Sequence, residues 1–197
     1  AWELFAVRYV YTDWEQIPVA SEIIASGEDR YGKVNLHRLS APRPFTHLVY
    51  DVRIADDDAT ARALTADPTI HLRDTIIVQG LALTAMPGAR DDQAGAVITE
   101  FKLETFSVQV NTSSNAMLSI AQPDYPGWEA TIDDQATPIL RAYAGLAAVA
   151  VPEGKHNVVF KYNPLSYRIG AIISLIAWGV VGIAGGGILF RRGHYAK

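Results

Sequence analysis

From residue 169 to residue 190 the chain reads IGAIISLIAWGVVGIAGGGILF, and no side chain in that run carries a charge. At about 1.5 Å per residue such a helix would measure about 33 Å, more than the roughly 30 Å hydrocarbon core of a bilayer. A helix of a water-soluble domain keeps one polar face, and this run offers none over about six turns. The spacing therefore predicts a linker and transmembrane α-helix over 164–190 that crosses the membrane once. Arg191, Arg192 and Lys197 follow directly, and the bias of Lys and Arg toward the cytoplasmic side puts the basic tail, 191–197, in the cytoplasm. The main domain is then extracytoplasmic, in a periplasm or at a cell surface.

The start of the chain does not explain such an export. Residues 1–13, AWELFAVRYVYTD, have neither a basic opening nor a long apolar stretch, so they do not read as a signal peptide. An upstream portion is expected, either a removed leader or further membrane segments before Ala1. Composition narrows the chemistry. With no cysteine among 197 residues, disulfide frameworks, thiolate zinc sites, iron–sulfur clusters and c-type haem attachment are excluded. Hydrophobic residues make up 49% and charged residues 19%, far from a disordered composition. A net charge of −4, without a cluster of cations in the region before the apolar run, argues against a nucleic-acid partner.

Period-two alternation fills the second half of that region. In FSVQV, Phe106, Val108 and Val110 face one way and Ser107 and Gln109 the other. The same rhythm recurs over 117–121, in WEATI from Trp128 and in VVFKY from Val158. Turn residues separate these runs at 111–115, 123–127, 133–135 and 152–155. Short strands at this spacing predict a mainly β fold, an antiparallel β-sandwich, with one short helix in the N-terminal half. That helix is expected over 57–66, where Asp56, Asp57 and Asp58 favour its start by capping and through the helix dipole. Further strands are expected at 7–11, 34–39, 48–54 and 75–79, with an exposed loop over 86–95. The chain divides into an N-terminal α+β part, 1–95, an antiparallel β domain, 96–163, the linker and membrane helix, 164–190, and the tail, 191–197.

No catalytic constellation stands out, and no catalytic residue, metal or cofactor is expected. Three consecutive aspartates cannot converge on one cation, so capping explains Asp56 to Asp58 better than metal binding. His37, His47, His71, His156 and His194 lack the i, i+3 or i+4 spacing of a metal-binding helix face. Neither a nucleophile elbow, a Walker A loop nor a dinucleotide fingerprint is present. Two patterns remain. Tyr125 and Trp128 bracket a Pro-Gly turn, with Tyr143 nearby in sequence; exposed rings can stack on sugars, whereas a Trp that opens a strand fills a core, the reading favoured here. Within the apolar run, Gly170, Ser174, Gly179, Gly182 and Gly186 supply small residues that let a second membrane helix approach closely.

The order of turn motifs over 119–174 is distinctive. Tyr125, Pro126, Gly127 and Trp128 close one turn, Asp133 opens a hairpin, and Arg141, Ala142 and Tyr143 follow. Pro152, Gly154 and His156 then form a second hairpin, and Tyr162 and Pro164 lead into the apolar run. This arrangement resembles the C-terminal region of YfhO-like bacterial membrane proteins, relatives of glycosyltransferases that use lipid-linked sugars. It is closest over 117–174, while FAVRYVYT and HLVYDVRIADD upstream also fit. Asp134 departs from the pattern, where the family usually has Gly. The resemblance implies the exported, non-catalytic end of the family. It carries over no catalytic residue, because the catalytic acids of such enzymes lie in loops of a multispanning region.

The expected function is a single-span, non-catalytic accessory or assembly subunit of a larger membrane complex, touching membrane lipid and other transmembrane subunits. One alternative is the C-terminal portion of a YfhO-like glycosyltransferase acting on lipid-linked sugars. The other is a carbohydrate-binding module that uses Tyr125, Trp128 and Tyr143.

Overall fold

The structure, a computed structural model, describes residues 2–80 and 87–194, with side chains for 4–80 and 87–179. A single 3-10 turn at Trp2–Phe5 opens the chain. It is followed by β1 (Tyr9–Thr12), β2 (Ser21–Asp29), β3 (Gly32–Leu39), β4 (Thr46–Val49), β5 (Asp51–Ala55), α1 (Asp58–Ala66) and β6 (Thr75–Gln79). The second half contributes β7 (Gly95–Phe101), β8 (Thr105–Thr112), β9 (Ala116–Pro123), β10 (Trp128–Ile132) and β11 (Gln135–Thr137). After these come β12 (Leu140–Ala142), β13 (Leu146–Val151), β14 (Gly154–Tyr162) and α2 (Leu165–His194). Among the described residues the strands form three sheets, ordered β1-β3-β2, β11-β10-β14-β8-β7 and β4-β9-β13-β12-β6-β5. The mainly β part of the expectation is met.

Alternation explains the five-stranded sheet. Phe106, Val108 and Val110 of β8, with Val158 and Phe160 of β14 and Ala130 of β10, point inward into one core, while Ser107 and Gln109 point outward. Leu118, Ile120, Val149 and Val151 of the six-stranded sheet complete that core. The opposite face of the six-stranded sheet buries Met117, Ala148, Ile77 and Val49 with Ala61 of α1 and Leu4 of the opening turn. This sheet is therefore the middle layer of the molecule. It draws β4, β5 and β6 from before residue 95 and β9, β12 and β13 from after it.

Two local features follow from residue chemistry. Asp57 caps α1, its Oδ1 accepting from the Thr60 N–H at 2.7 Å, while Asp58 pairs with Arg62 one turn on. The acidic run is thus a helix start. The hairpin between β10 and β11 turns on Asp133 and Asp134, with φ of 47° and 66°, the left-handed geometry of a two-residue hairpin that Asp tolerates better than most residues.

The run expected as one strand over 48–54 is two strands, because Tyr50 separates partners rather than hydrophobic patterns. β4 pairs antiparallel with β9 at one edge of the six-stranded sheet, and β5 pairs parallel with β6 at the other. Val49 and Asp51 are two residues apart, so their Cα atoms lie within about 7 Å. The two edges must meet at Tyr50, and the sheet curls around its own core. Hydrogen bonds close the seam: Arg43 Nη1 donates to the Leu72 carbonyl at 3.1 Å, and His47 Nε2 lies 2.9 Å from the Arg73 carbonyl.

The expected transmembrane helix is corrected. An α-helix does form at the C-terminal end, yet among the described residues no helix is long and apolar enough to cross a membrane. Side chains are described as far as Gly179. From Leu165 that is about 22 Å of helix, with Arg168 in its first turn, against a hydrocarbon core of about 30 Å. The single-pass topology and the cytoplasmic placement of the tail lose their basis with the span, and residues 195–197 lie outside the described ones. Of the small residues, Gly170, Ser174 and Gly179 are exposed, and a Cβ added at Gly170 or Gly179 would meet nothing within 4 Å. Gly182 and Gly186 fall beyond the described side chains. Of the loop expected over 86–95, Met86 lies outside the described residues.

Candidate functional site

At the seam of the curled sheet, β4 and the loop over 87–94 face each other across an open cleft of about 560 Å³. Its polar lining includes His47, Tyr50, Arg73, Asp74, Arg90 and Asp92. The loop is fixed to the turn between β8 and β9. The Gly88 N–H donates to the Asn115 carbonyl at 2.9 Å, and the Ser113 N–H donates to Asp91 Oδ2 at 2.8 Å. A Cβ on Gly88 would stand 2.8 Å from that of Ser114, so only glycine lets the loop lie this close.

Arg90 bridges two carboxylates, with Nη1 2.6 Å from Asp74 Oδ1 and Nε 2.8 Å from Asp92 Oδ1. These groups are solvent-exposed, so the pairs fix geometry more than they add stability. Asp91 accepts from the Ser113 N–H and, at 2.9 Å, from the Gln93 N–H; these bonds, Ser113 first, hold its carboxyl below the usual range. Burial, reinforced by the charge of Arg43, lowers the pKa of His47, so the ring is neutral near pH 7. With Nε2–H donated to the Arg73 carbonyl, Nδ1 is left as an acceptor. The Tyr50 hydroxyl, 2.8 Å from Thr112 Oγ1, has its pKa raised by burial.

The cleft thus sets fixed acceptors, the three aspartates, His47 Nδ1 and the Tyr50 hydroxyl oxygen, whose proton goes to Thr112, beside the fixed donors of Arg90. A carboxylate held ionised is a poor proton donor, and the lowered pKa of His47 makes its free Nδ1 a weak base. Among the described residues no group of His, Asp and Glu is placed to hold a metal ion.

Behind the seam, Arg43 is 3% exposed, with its guanidinium carbon 5.2 Å from the centre of the Tyr143 ring. Its Nη2 donates to the Tyr143 hydroxyl at 3.0 Å, which in turn donates to the Leu72 carbonyl at 3.1 Å. Tyr143, 5% exposed, therefore belongs to the core on the α1 side of the middle sheet. Trp128 is packed on the other core, its ring 5.6 Å from Phe106 and 5.4 Å from Tyr162. Tyr125 is exposed in the turn before it. Of the three aromatic residues considered for sugar stacking, Tyr143 is cut off in its own core, whereas Tyr125 and half-buried Trp128 line one open cavity of about 430 Å³. Sequence reasoning missed the cleft, although the Pro-Arg-Pro at 42–44 and the ARDD of the loop were its visible parts.

Sandwich and curled middle sheet define a β module with a polar cleft at its seam and an apolar helix leaving one end. The family model described as bacterial membrane protein YfhO matches residues 74–174, just over half of the chain. The chain belongs to the YfhO family of bacterial membrane proteins. The match runs from β6 to the first turns of α2, so Asp74 and Arg90 to Asp92 lie within it while His47 and Tyr50 lie before it. No curated protein and no solved structure matches the chain.

Proposed function

We propose that the chain is a non-catalytic accessory module of a larger YfhO-family membrane assembly, placed outside the cytoplasm, whose seam cleft binds a polyhydroxylated ligand such as a neutral saccharide. The observation that carries the reading is the pairing of fixed donors and acceptors around Arg90. A sugar hydroxyl both donates and accepts, so it matches a lining in which carboxylates and guanidinium alternate. The extracytoplasmic placement rests on the resemblance to the exported end of the family. The alternative, in which the chain is the C-terminal portion of a glycosyltransferase acting on lipid-linked sugars, gives the cleft the same task on that enzyme's acceptor side.

Titration of the full chain with neutral mono- and disaccharides, followed by imidazole NMR signals, tests this directly. The His47 signal should move with ligand and the His156 signal, which lies away from the cleft, should not. Arg90→Ala should abolish the response. An unmoved His47 at millimolar saccharide, or equal movement of both histidines, refutes ligand binding at the seam.

A further inference from the structure

The end of the sandwich where α2 begins turns apolar side chains outward that neither core buries. Leu103, in the turn between β7 and β8, is 99% exposed, and Phe101 beside it is 63% exposed. Tyr125 projects from the turn before β10, and Leu165 and Tyr167 project from the first turn of α2. These three segments are neighbours. The Tyr162 N–H donates to the Glu104 carbonyl and the Asn163 N–H to the Gly127 carbonyl, both at 2.7 Å, while Trp128 pairs with Tyr162 across β10 and β14.

The projecting groups stand on a rigid base. Phe101 stacks on Phe106 at 5.8 Å and meets Phe45 edge-on at 5.5 Å. Gly127, at φ +105°, is packed so tightly that a Cβ there would lie 3.0 Å from the Tyr162 ring and 3.1 Å from Pro164. Beyond the first turn, Ile172, Ile173, Leu175 and Ile176 of α2 are exposed as well. Lys102, Lys161 and Arg168 are exposed in the same three segments, with Lys102 paired to Glu100 and with Glu104, Asp124 and Glu129 exposed among them.

Aliphatic tips and tyrosines with a polar end are the mixture that settles at the boundary between headgroups and acyl chains. A protein hot spot instead gathers its anchors into one close-packed, water-excluding patch, whereas here they project from separate turns. We propose that this end of the body is a seat on the lipid interface. Leu103 and Phe101 enter the acyl boundary, Tyr125 and Tyr167 lie at headgroup level, and Arg168 meets the lipid phosphates. This is independent of the seam cleft, and family membership supplies the membrane.

The chain has no cysteine, so single labels can be placed cleanly. The full chain carrying Leu103→Cys, Ser113→Cys or Ile172→Cys is labelled with an environment-sensitive fluorophore and added to vesicles of phosphatidylcholine and phosphatidylglycerol containing a doxyl-lipid quencher. Seating requires a blue-shifted, lipid-quenched label at 103 and a water-exposed label at 113. Leu103→Asp with Tyr125→Asp should weaken vesicle partition about tenfold or more. If the label at 172 is quenched while that at 103 stays in water, the helix alone meets lipid and the seat is refuted. A label at 103 shielded from water but untouched by the quencher means that a protein covers this end, which also overturns the proposal.

Discussion

The two ends of the sandwich share their strands and differ in how their turns are held. At the α2 end the rings of Phe45, Phe101, Phe106, Phe160, Trp128 and Tyr162 form one chain of contacts with centroids 4.6 to 5.8 Å apart. At the far end the turns are tied by polar bonds. The Glu153 N–H donates to Asn115 Oδ1 at 3.1 Å, the Asn157 N–H to Asp133 Oδ1 at 2.9 Å, and Thr112 Oγ1 to the Ser114 carbonyl at 2.8 Å. Burial of area is non-directional and tolerates surplus apolar groups pointing outward. Hydrogen bonds are directional, so an end held by them can present donors and acceptors in a fixed geometry. The seam cleft, whose loop is tied to the 112–115 turn, depends on the second kind of support.

If that contrast is right, the largest losses of stability belong to the ring cluster. Phe106→Ala, which removes the ring touching Phe45, Phe101, Phe160 and Trp128, should cost about 3–5 kcal/mol in urea unfolding. Thr112→Val, at the far end, removes a buried hydroxyl that meets Tyr50 and Ser114 and should cost about 1–2 kcal/mol. A reversed order breaks the comparison. The glycines sharpen it further. Both Gly127 and Gly154 have positive φ, at +105° and +125°, so alanine is strained at either. At Gly127 the new Cβ meets Pro164 backbone and a packed ring, whereas at Gly154 it meets one side chain, the His156 ring at 3.0 Å, whose bond to the Glu153 carbonyl must give. Gly127→Ala should therefore cost about 2–3 kcal/mol and Gly154→Ala about 1–2 kcal/mol, measured the same way.

The α2 end was also the more legible in the sequence. β8, β10 and β14 alternate because one face of their sheet meets water, and α1 announced itself through Asp57. β9 was read as half-buried from the same rhythm, yet Met117 packs toward α1 and Leu118 toward the other sheet, since a middle layer has no wet face. β13, LAAVAV, is buried almost throughout for the same reason, and its unbroken apolar run gave no period to read. β2, SEIIASGED, is an exposed edge strand whose Gly, Ser and acids carry little strand preference. The cleft was hidden because its walls come from residues 46–51, 73–74 and 88–96, joined by side chains bonding to carbonyls at the seam. Helical composition after Pro164 was plain, but helix formation and membrane crossing are separate properties, and the second did not follow from the first.

The smallest expected effect lies in the pH dependence, where a seam histidine and a far-turn histidine act in opposite directions. His156 donates from Nδ1 to Asp133 Oδ2 at 2.6 Å, and this bond, followed by the Glu153 carbonyl, raises its pKa above the usual 6.5. Its stabilisation is complete below pH 6.5 and is lost as pH rises through the raised value. Burial and Arg43 lower the pKa of His47, so the unfolded chain binds that proton more readily, and stability is lost as pH falls below 6.5. Asp133, itself held below 3.8 by the Asn157 N–H and His156, stays ionised across this window. The urea midpoint should form a shallow dome with its top near pH 6.5. His156→Gln should remove the alkaline limb alone and His47→Gln the acid limb alone. If His47→Gln instead flattens the alkaline side, the far hairpin does not own that limb, and the polar bonds assigned to it are not those that hold this end.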